Sequence, residues 1–532
     1  MLEYVAAAVI IAIYIAIFYA VKKRKFGEKW GLGTMGPLIM WKTQRGKQLI
    51  DRVSRRARLW RGMGDIAIVV LLVSMVGMMA LLLWEATVVP MIPKDRAPSP
   101  QMMLGIPGLN PVIPIGYGIL GLVVAIVIHE LSHGIMARAE GLKVQSLGLI
   151  FLIVPLGAFV EPDEEELKKA SRRKRMRVYA AGPMANIVVA VITFALFVGM
   201  LGSVQPVSDG SVAMVVGSDT PASRAGLQGY TLITSINGTA ISSTDDILGI
   251  SGIQPASKVS VTGKFKGQDL RLDAYAGLAL ISLVEDYPAD AGGLKAGMII
   301  ASIQNAKNTT VVHSSNDFSS IMSWQRPGDT VNVSAYEFDG ATSNYTYRVF
   351  AGITLKSKYE YYEKYAPNSN RDEYRSVAFM GVTTGYLGAL YVDAANILAP
   401  SATPFAGANS ADDYFILGLR FLTLPILGLS PIDSPMSDLY APTGPLSSIP
   451  APVFWVLANS MYWVFWISIM VALTNVLPVT VFDGGQVFRD IIDRIVERTK
   501  IKDKEKAVGA VMAFFTILVI ALIFWQLIGP RL

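Results

Sequence analysis

The chain has 532 residues, of which 52% are hydrophobic and only 17% charged, against about 25% charged in an ordinary soluble domain. Because the apolar residues come in blocks of about twenty, the shortfall excludes a purely soluble enzyme and assigns much of the length to lipid. The lack of cysteine excludes disulfides, thiolate metal sites, iron–sulfur clusters and a cysteine nucleophile, and the net charge of +6 sits beside apolar runs rather than in a stripe that would follow nucleic acid.

Residues 2–20 are apolar apart from Glu3 and are followed at once by Lys22, Lys23, Arg24 and Lys25. A secretory leader carries its charge before its apolar core, so this order predicts an uncleaved anchor. The positive-inside rule places that cluster, and the arginine-rich residues 45–61, in the cytoplasm. Residues 66–84 then span outward, followed by an external segment rich in proline (Pro90, Pro93, Pro98, Pro100, Pro107, Pro111, Pro114). Residues 1–112 are thus expected to form two spans, a basic loop and that external segment.

A third span, residues 115–138, runs back in and opens a membrane half covering 113–201. Residues 147–160 are apolar but too short to cross and are broken by Pro155 and Gly157, which predicts a re-entrant or interfacial hairpin. A charged cytoplasmic run at 161–177, including the basic residues 168–177 suited to anionic lipid, precedes a fourth span at 178–201.

From residue 202 to 347 the pattern changes to short alternating segments separated by Gly, Asn, Asp and Ser, as strands and turns are. An internal repeat runs through it. Pro221-Ala222, Gly226-Leu227 and the segment 233–237 recur as Pro288-Ala289, Gly293-Leu294 and 300–304. A period of about 67 residues suits two small tandem domains, 202–278 and 279–350, rather than a solenoid. Sequons at Asn237, Asn308, Asn332 and Asn344 agree with the external side that the charge rule assigns. His313, in a turn-rich stretch, reads as a surface residue. Residues 351–450 form a further external region in which 414–429 suits an amphipathic interfacial helix. Residues 454–477 span inward, 489–506 are charged and cytoplasmic, and 508–528 span outward, so that 451–532 makes a second membrane half. The expected fold is a polytopic α-helical membrane protein of about six spans with an inserted extracytoplasmic α+β region.

Chemistry concentrates in His129-Glu130-Leu131-Ser132-His133, within the third span. On a helix, positions four apart share a face, so both imidazoles can reach one metal ion. Glu130, beside the first of them, can act on water at the metal rather than on the metal itself. Ionisable side chains at membrane depth cost about 2.5–3.5 kcal/mol each, so a cluster of them calls for a compensating function. A third protein ligand is expected, and there are two candidates, Glu161 and Asp483. His129 precedes Arg138 by nine residues, about 13 Å of helix, which sets the metal inside the apolar layer near its cytoplasmic face. Asp483 falls at a comparable depth between the 454–477 span and Arg489, whereas Glu161 opens a charged run; depth favours Asp483. Beside it, Gly484-Gly485 allows close backbone approach, and Pro478 interrupts the preceding helix.

These residues resemble the site-2 protease family of zinc-dependent intramembrane metalloproteases. The likeness rests on His129-Glu130-Leu131-Ser132-His133-Gly134, on Asn475-x-x-Pro478 with Asp483-Gly484, and on Gly182-Pro183-Met184-Ala185-Asn186. The repeats at 221 and 288 look like the carboxylate loop and following strand of PDZ domains, although Gly229 stands one position nearer its Gly-Leu than Gly297 does. The resemblance implies zinc held by His129, His133 and Asp483, with Glu130 as general base and acid. It implies that Asn475 and Pro478 hold an unwound substrate strand, and that Asn186 and Gly484 lie near the site. The implied activity is cleavage of single-span membrane proteins inside the bilayer, near its cytoplasmic side, as the second cut of regulated intramembrane proteolysis. Peptide carboxyl termini are the implied partners of the PDZ-like domains, with no nucleic acid involved. Two other readings are a membrane-anchored zinc peptidase acting on soluble peptides and a non-catalytic PDZ-bearing receptor with a structural metal.

Overall fold

This computed structural model of the chain describes all residues except 1, 24–30, 37, 44–46, 93, 95–96, 98, 104, 153, 366–370 and 532. Arg24, Lys25 and Arg45 of the basic segments and Pro93 and Pro98 of the proline-rich segment lie outside the described residues. Two compact units emerge: Met1–Gly199 with Leu422–Pro431 and Val456–Leu532, and Met200–Phe421 with Ile432–Trp455.

The first unit begins with helix α1 (Leu2–Lys23), strands β1 (Leu32–Met35) and β2 (Leu38–Thr43), and helices α2 (Lys47–Ser54), α3 (Ala57–Val88) and α4 (Ile115–Ala139). Strands β3 (Val144–Leu152) and β4 (Val154–Pro162) follow, then helices α5 (Glu164–Lys169) and α6 (Arg172–Leu201). Helices Ala451–Asn475, Asp483–Glu497 and Lys504–Ile528 come last. Among the described residues, five helices are long and apolar enough to cross a membrane: Ala57–Met91, Ile115–Ala139, Arg172–Leu201, Ala451–Asn475 and Lys504–Arg531. The last five expected spans each fall on one of them, and the first falls on α1, whose described stretch Ala12–Lys22 is apolar.

Small residues set how closely these helices approach. A Cβ on Gly121 of α4 would lie 2.8 Å from the carbonyl oxygen of Trp463, so glycine lets α4 press its backbone against the Ala451–Asn475 helix, as small residues do in membrane bundles. At the polar end of the bundle the helices are joined by charge. Arg177 of α6 pairs with Asp65 of α3 and with Glu140, each at 2.7 Å, and the Glu140 side chain is 1% exposed. Arg175 pairs with Asp490 and Arg172 with Glu497, which ties the start of α6 to the Asp483–Glu497 helix.

The apolar stretch at 147–160 is a β-hairpin, in antiparallel order β1-β2-β3-β4 with Leu147 opposite Val160. It packs on α4 through a glycine: a Cβ on Gly134 would meet Val160 Cγ1 at 2.8 Å and Ile50 Cδ1 of α2 at 2.9 Å.

The second unit holds two sheets wired alike. The first runs 268–275, 258–265, 231–236, 211–216, 389–393, and the second 344–354, 330–339, 299–304, 278–283, 382–386. The tandem boundaries expected from the repeat stop at residue 350, yet both sheets draw their last strand from the segment 382–393. The second repeat is therefore nested inside the first in sequence. Two separate cores result, one around Ile233, Ile247 and Val261, the other around Leu280, Ile300 and Val333. Tyr386 lies on a strand of the second sheet, but its side chain packs into the first core.

The repeats also differ where the sequence marked a difference. Tyr230 takes the left-handed conformation (φ +63°) at the position where the second repeat has Gly297 (φ +85°); a Cβ on Gly297 would lie 2.4 Å from the Asp219 carbonyl oxygen, so the second repeat has no room for a side chain there. His313 is not the isolated surface residue expected: its Nδ1 lies 3.0 Å from the Ile253 carbonyl oxygen, bridging the repeats. Of the sequon residues, Asn332 binds Gln304 and Gly352 through its amide, while Asn237, Asn308 and Asn344 are exposed. The expected amphipathic segment begins as a helix at Ala411–Leu422, with Tyr414, Phe415 and Ile416 exposed.

Candidate metal centre

Helix α4 presents His129 and His133 on one face, one turn apart. Both reach Asp483, the first residue of the Asp483–Glu497 helix, at 3.0 Å from His129 Nε2 to Oδ2 and 3.3 Å from His133 Nε2. The three residues are 15% exposed or less at the side chain. Asp483 and the histidines lie more than three hundred residues apart in sequence, and packing joins them. Phe482 is extended at the helix N-terminus, and the two glycines that follow permit the turn. A Cβ on Gly484 would lie 2.1 Å from the Val476 carbonyl oxygen, and one on Gly485 would lie 1.9 Å from that of Val479. No larger residue fits either place.

The outer nitrogens of both rings are held from behind. His133 Nδ1 donates to the Val178 carbonyl at 2.7 Å, which leaves Nε2 as the nitrogen facing Asp483. His129 Nδ1 lies 3.2 Å from the Asn186 side-chain amide nitrogen, and Asn186 is 0% exposed with its Oδ1 buried and unbonded. Turning the amide over exchanges two atoms of similar size and places Oδ1 where it accepts from His129 Nδ1–H. Both needs are then met, and His129 Nε2 carries its lone pair inward.

The space inside is kept open by another glycine. A Cβ on Gly182 of α6 would lie 2.5 Å from His133 Nε2 and 2.6 Å from His129 Nε2. Any side chain there would fill the point where the three donors meet. Pro183 follows directly, inside the helix.

The donor set fits zinc. A tetrahedral ion with bonds of about 2.0–2.1 Å separates its ligand atoms by about 3.3 Å, close to the nitrogen–oxygen distances found. When both imidazoles are neutral and carry their proton on Nδ1, the Nε2 lone pairs facing one carboxylate suit a cation lying between them. His129, Glu130 and His133 also form a group with ligand atoms within 4.8 Å of one another.

Glu130 is anchored on one side: its Oε2 accepts from the Val160 backbone N–H at 3.1 Å. The β4 strand thereby fixes one oxygen and leaves the other to exchange a proton. Glu161, the competing third ligand, is engaged by Ser146 at 2.5 Å and Lys42 at 3.2 Å, and the Ser146 hydroxyl and Lys42 ammonium hold its carboxyl below the ordinary range. Asn475 turns its amide back on its own helix, to the Val471 carbonyl at 3.0 Å, and Pro478 is buried in the segment between the two helices. Neither has a described bond to the histidines or Asp483.

Gly182 falls within the Gly182–Asn186 motif, where its signal is a glycine directly before a proline in an apolar helix. The Val178 carbonyl and the Val160 N–H left no signal, because any residue supplies them.

Of three relatives that this chain resembles, two are named as proteases. "Uncharacterized protein MJ0971" of Methanocaldococcus jannaschii is 31% identical over 247 residues, 44% of this chain and 61% of its own length. "Putative zinc metalloprotease Atu1380" of Agrobacterium fabrum is 25% identical over 193 residues, 29% of this chain and 50% of its own. "Membrane-bound transcription factor site-2 protease homolog" of Arabidopsis thaliana is 26% identical over 182 residues, 32% of this chain and 34% of its own. The chain spans less than two thirds of the length of each of these curated relatives. The pattern of peptidase family M50 matches far more of it, residues 117–519. That stretch takes in both histidines, Glu130, Asn186 and Asp483, and on its breadth the chain belongs to peptidase family M50, the site-2 protease family.

Proposed function

We propose that this chain is a zinc metalloprotease that cuts transmembrane segments within the bilayer. The observation that supports this most is that Asp483 Oδ2 lies 3.0 Å from His129 Nε2 and 3.3 Å from His133 Nε2, with both histidines and Glu130 on a helix apolar enough to span. His129, His133 and Asp483 hold the ion. Zinc bound there supplies a Lewis acid for the scissile carbonyl and makes water a nucleophile near neutral pH. Glu130 takes the proton from the attacking water and passes it to the departing amine. Val160 N–H steadies Glu130 while that proton moves.

A transmembrane substrate hides its peptide bonds in helical hydrogen bonds and has to be unwound first. The β4 strand is the outer member of its sheet and offers backbone groups with which an unwound strand can pair. Asn475 and Pro478 are assigned the same task, at the end of the Ala451–Asn475 helix. The nested repeats act as PDZ-like selectors outside the cell, holding back substrates with bulky ectodomains or capturing fresh carboxyl termini. The basic segments lie in the cytoplasm, and the product is released on that side as the second cut of regulated proteolysis.

Substituting Glu130→Gln is expected to leave about one zinc per chain while abolishing cleavage of a tethered single-span substrate, whereas Asp483→Ala loses the ion. Zinc content by plasma emission, read beside cleavage of that substrate and of its soluble fragment, tests both. Full activity of Glu130→Gln refutes its role, and preference for the soluble fragment refutes the intramembrane site.

A further inference from the structure

A second concentration of charge lies away from the metal centre. A cleft of about 240 Å³ is lined by Lys47, Ile50, Asp51, Arg138, Lys143 and Val144, three cations to one carboxylate. Two of the cations are already engaged on one side. Arg138 gives its Nε–H to Asp51 at 2.6 Å, and the Lys143 ammonium meets Glu166 at 2.9 Å. Lys47, the first residue of α2, is half-buried and has no ion pair or hydrogen-bond partner for its ammonium among the described residues. Asp51 occupies the Nε edge of the Arg138 guanidinium, and the nearest acceptor to its Nη1 is the Leu142 carbonyl at 3.5 Å. Its Nη2 has no hydrogen-bond partner among the described residues, so the guanidinium has bonding capacity to spare on the cleft it lines.

The walls are firm. Ile50 is 1% exposed and wedged over Gly134, and Val144 is 7% exposed. The cleft also stands where an apolar span ends. Arg138 is the last residue but one of α4, and α2 leads within three residues into α3. That level belongs to lipid headgroups, where basic pockets between spans attract phosphate. An ammonium beside a planar guanidinium suits a tetrahedral oxyanion, the guanidinium bonding through paired N–H groups and the ammonium acting as a point charge.

We propose that this cleft binds a phosphate group, supplied by an acidic phospholipid, with Lys47 and the outer edge of Arg138 as donors. The anion ties α2, the end of α4 and the start of β3 together. Those segments lead directly to the site: α4 carries His133, and β3 pairs with the strand whose Val160 N–H binds Glu130. The proposal stands whether or not the protease reading does.

The test uses the full chain, by native mass spectrometry from detergent with phosphatidylglycerol or phosphatidylcholine added. Lys47→Ala breaks no bond within the protein. It is expected to weaken phosphatidylglycerol binding about tenfold, with Lys47→Arg restoring it. Arg58→Ala, which removes an exposed charge from the same basic stretch outside the cleft, is expected to leave binding unchanged. A second arm follows thermal stabilisation of lipid-stripped protein by inorganic phosphate. A Lys47-dependent response to phosphate, with lipid binding insensitive to Lys47, keeps the phosphate site and makes free phosphate its source. Equal lipid binding and equal phosphate response in wild type and Lys47→Ala overturn the site, as does an Arg58→Ala loss matching that of Lys47→Ala.

Discussion

Three glycines decide what the metal centre can hold. Gly182 keeps empty the point toward which His129, His133 and Asp483 aim, and Gly484 and Gly485 let the Asp483 turn close against main-chain carbonyls. A single methyl group tests the first of these. Gly182→Ala places a carbon about 2.5 Å from both inner nitrogens, an overlap whose relief costs on the order of 1–3 kcal/mol. The rings move apart or the ion is displaced. The expected result is folded protein with well under one zinc per chain, measured by metal analysis beside circular dichroism. Normal zinc content would show that the donors do not meet there. Asn186 acts on the same centre from behind, as a ligand's outer hydrogen-bond partner does. Its side-chain amide meets the His129 ring at Nδ1, on the side away from Asp483.

Among the elements, the helices of the first unit are held by two unlike means. In the apolar stretch α4 meets the Ala451–Asn475 helix through Gly121, with no charge involved. At the polar end Glu140, almost wholly buried, is shared by Arg177 at 2.7 Å and Arg61 at 3.7 Å. Breaking a buried pair leaves an uncompensated charge and costs about 3–5 kcal/mol, whereas an exposed pair contributes about 0–1 kcal/mol. Arg173, whose side chain is 70% exposed, makes such a pair with Asp65. Glu140→Ala is therefore expected to lower the thermal midpoint in detergent by several degrees and Arg173→Ala to leave it nearly unchanged. Equal effects would mean that the buried cluster is solvated and contributes no more than its surface neighbour.

For the molecule as a whole, the nested order of the second unit has a cost and a use. The strand that completes the first repeat's sheet, 389–393, is reached only after the whole second repeat in chain order. Tyr386 couples the two, on a strand of one sheet with its ring in the core of the other and 1% exposed. Truncating a buried aromatic costs about 3–5 kcal/mol, and Tyr386→Ala is expected to weaken both repeats together. Hydrogen exchange checks this: faster exchange in strands 211–216 and 278–283 alike supports the coupling, and loss confined to one strand excludes it.

The five long apolar helices, the paired histidines with Glu130 and the repeat of 67 residues are all legible in the amino-acid order. Each is a local pattern, set by the length of an apolar run, by helical spacing or by self-similarity. Choosing between Asp483 and Glu161 requires depth as well as pattern; in the fold Glu161 bonds Ser146 and Lys42, and Asp483 meets both histidines. What no linear reading supplies is what depends on segments far apart meeting. The Val178 carbonyl behind His133, the Val160 N–H on Glu130 and the strand 389–393 closing a sheet begun at residue 211 are main-chain contacts, which every residue type can make. Side-chain identity carries no record of them, so only the folded chain decides where they fall.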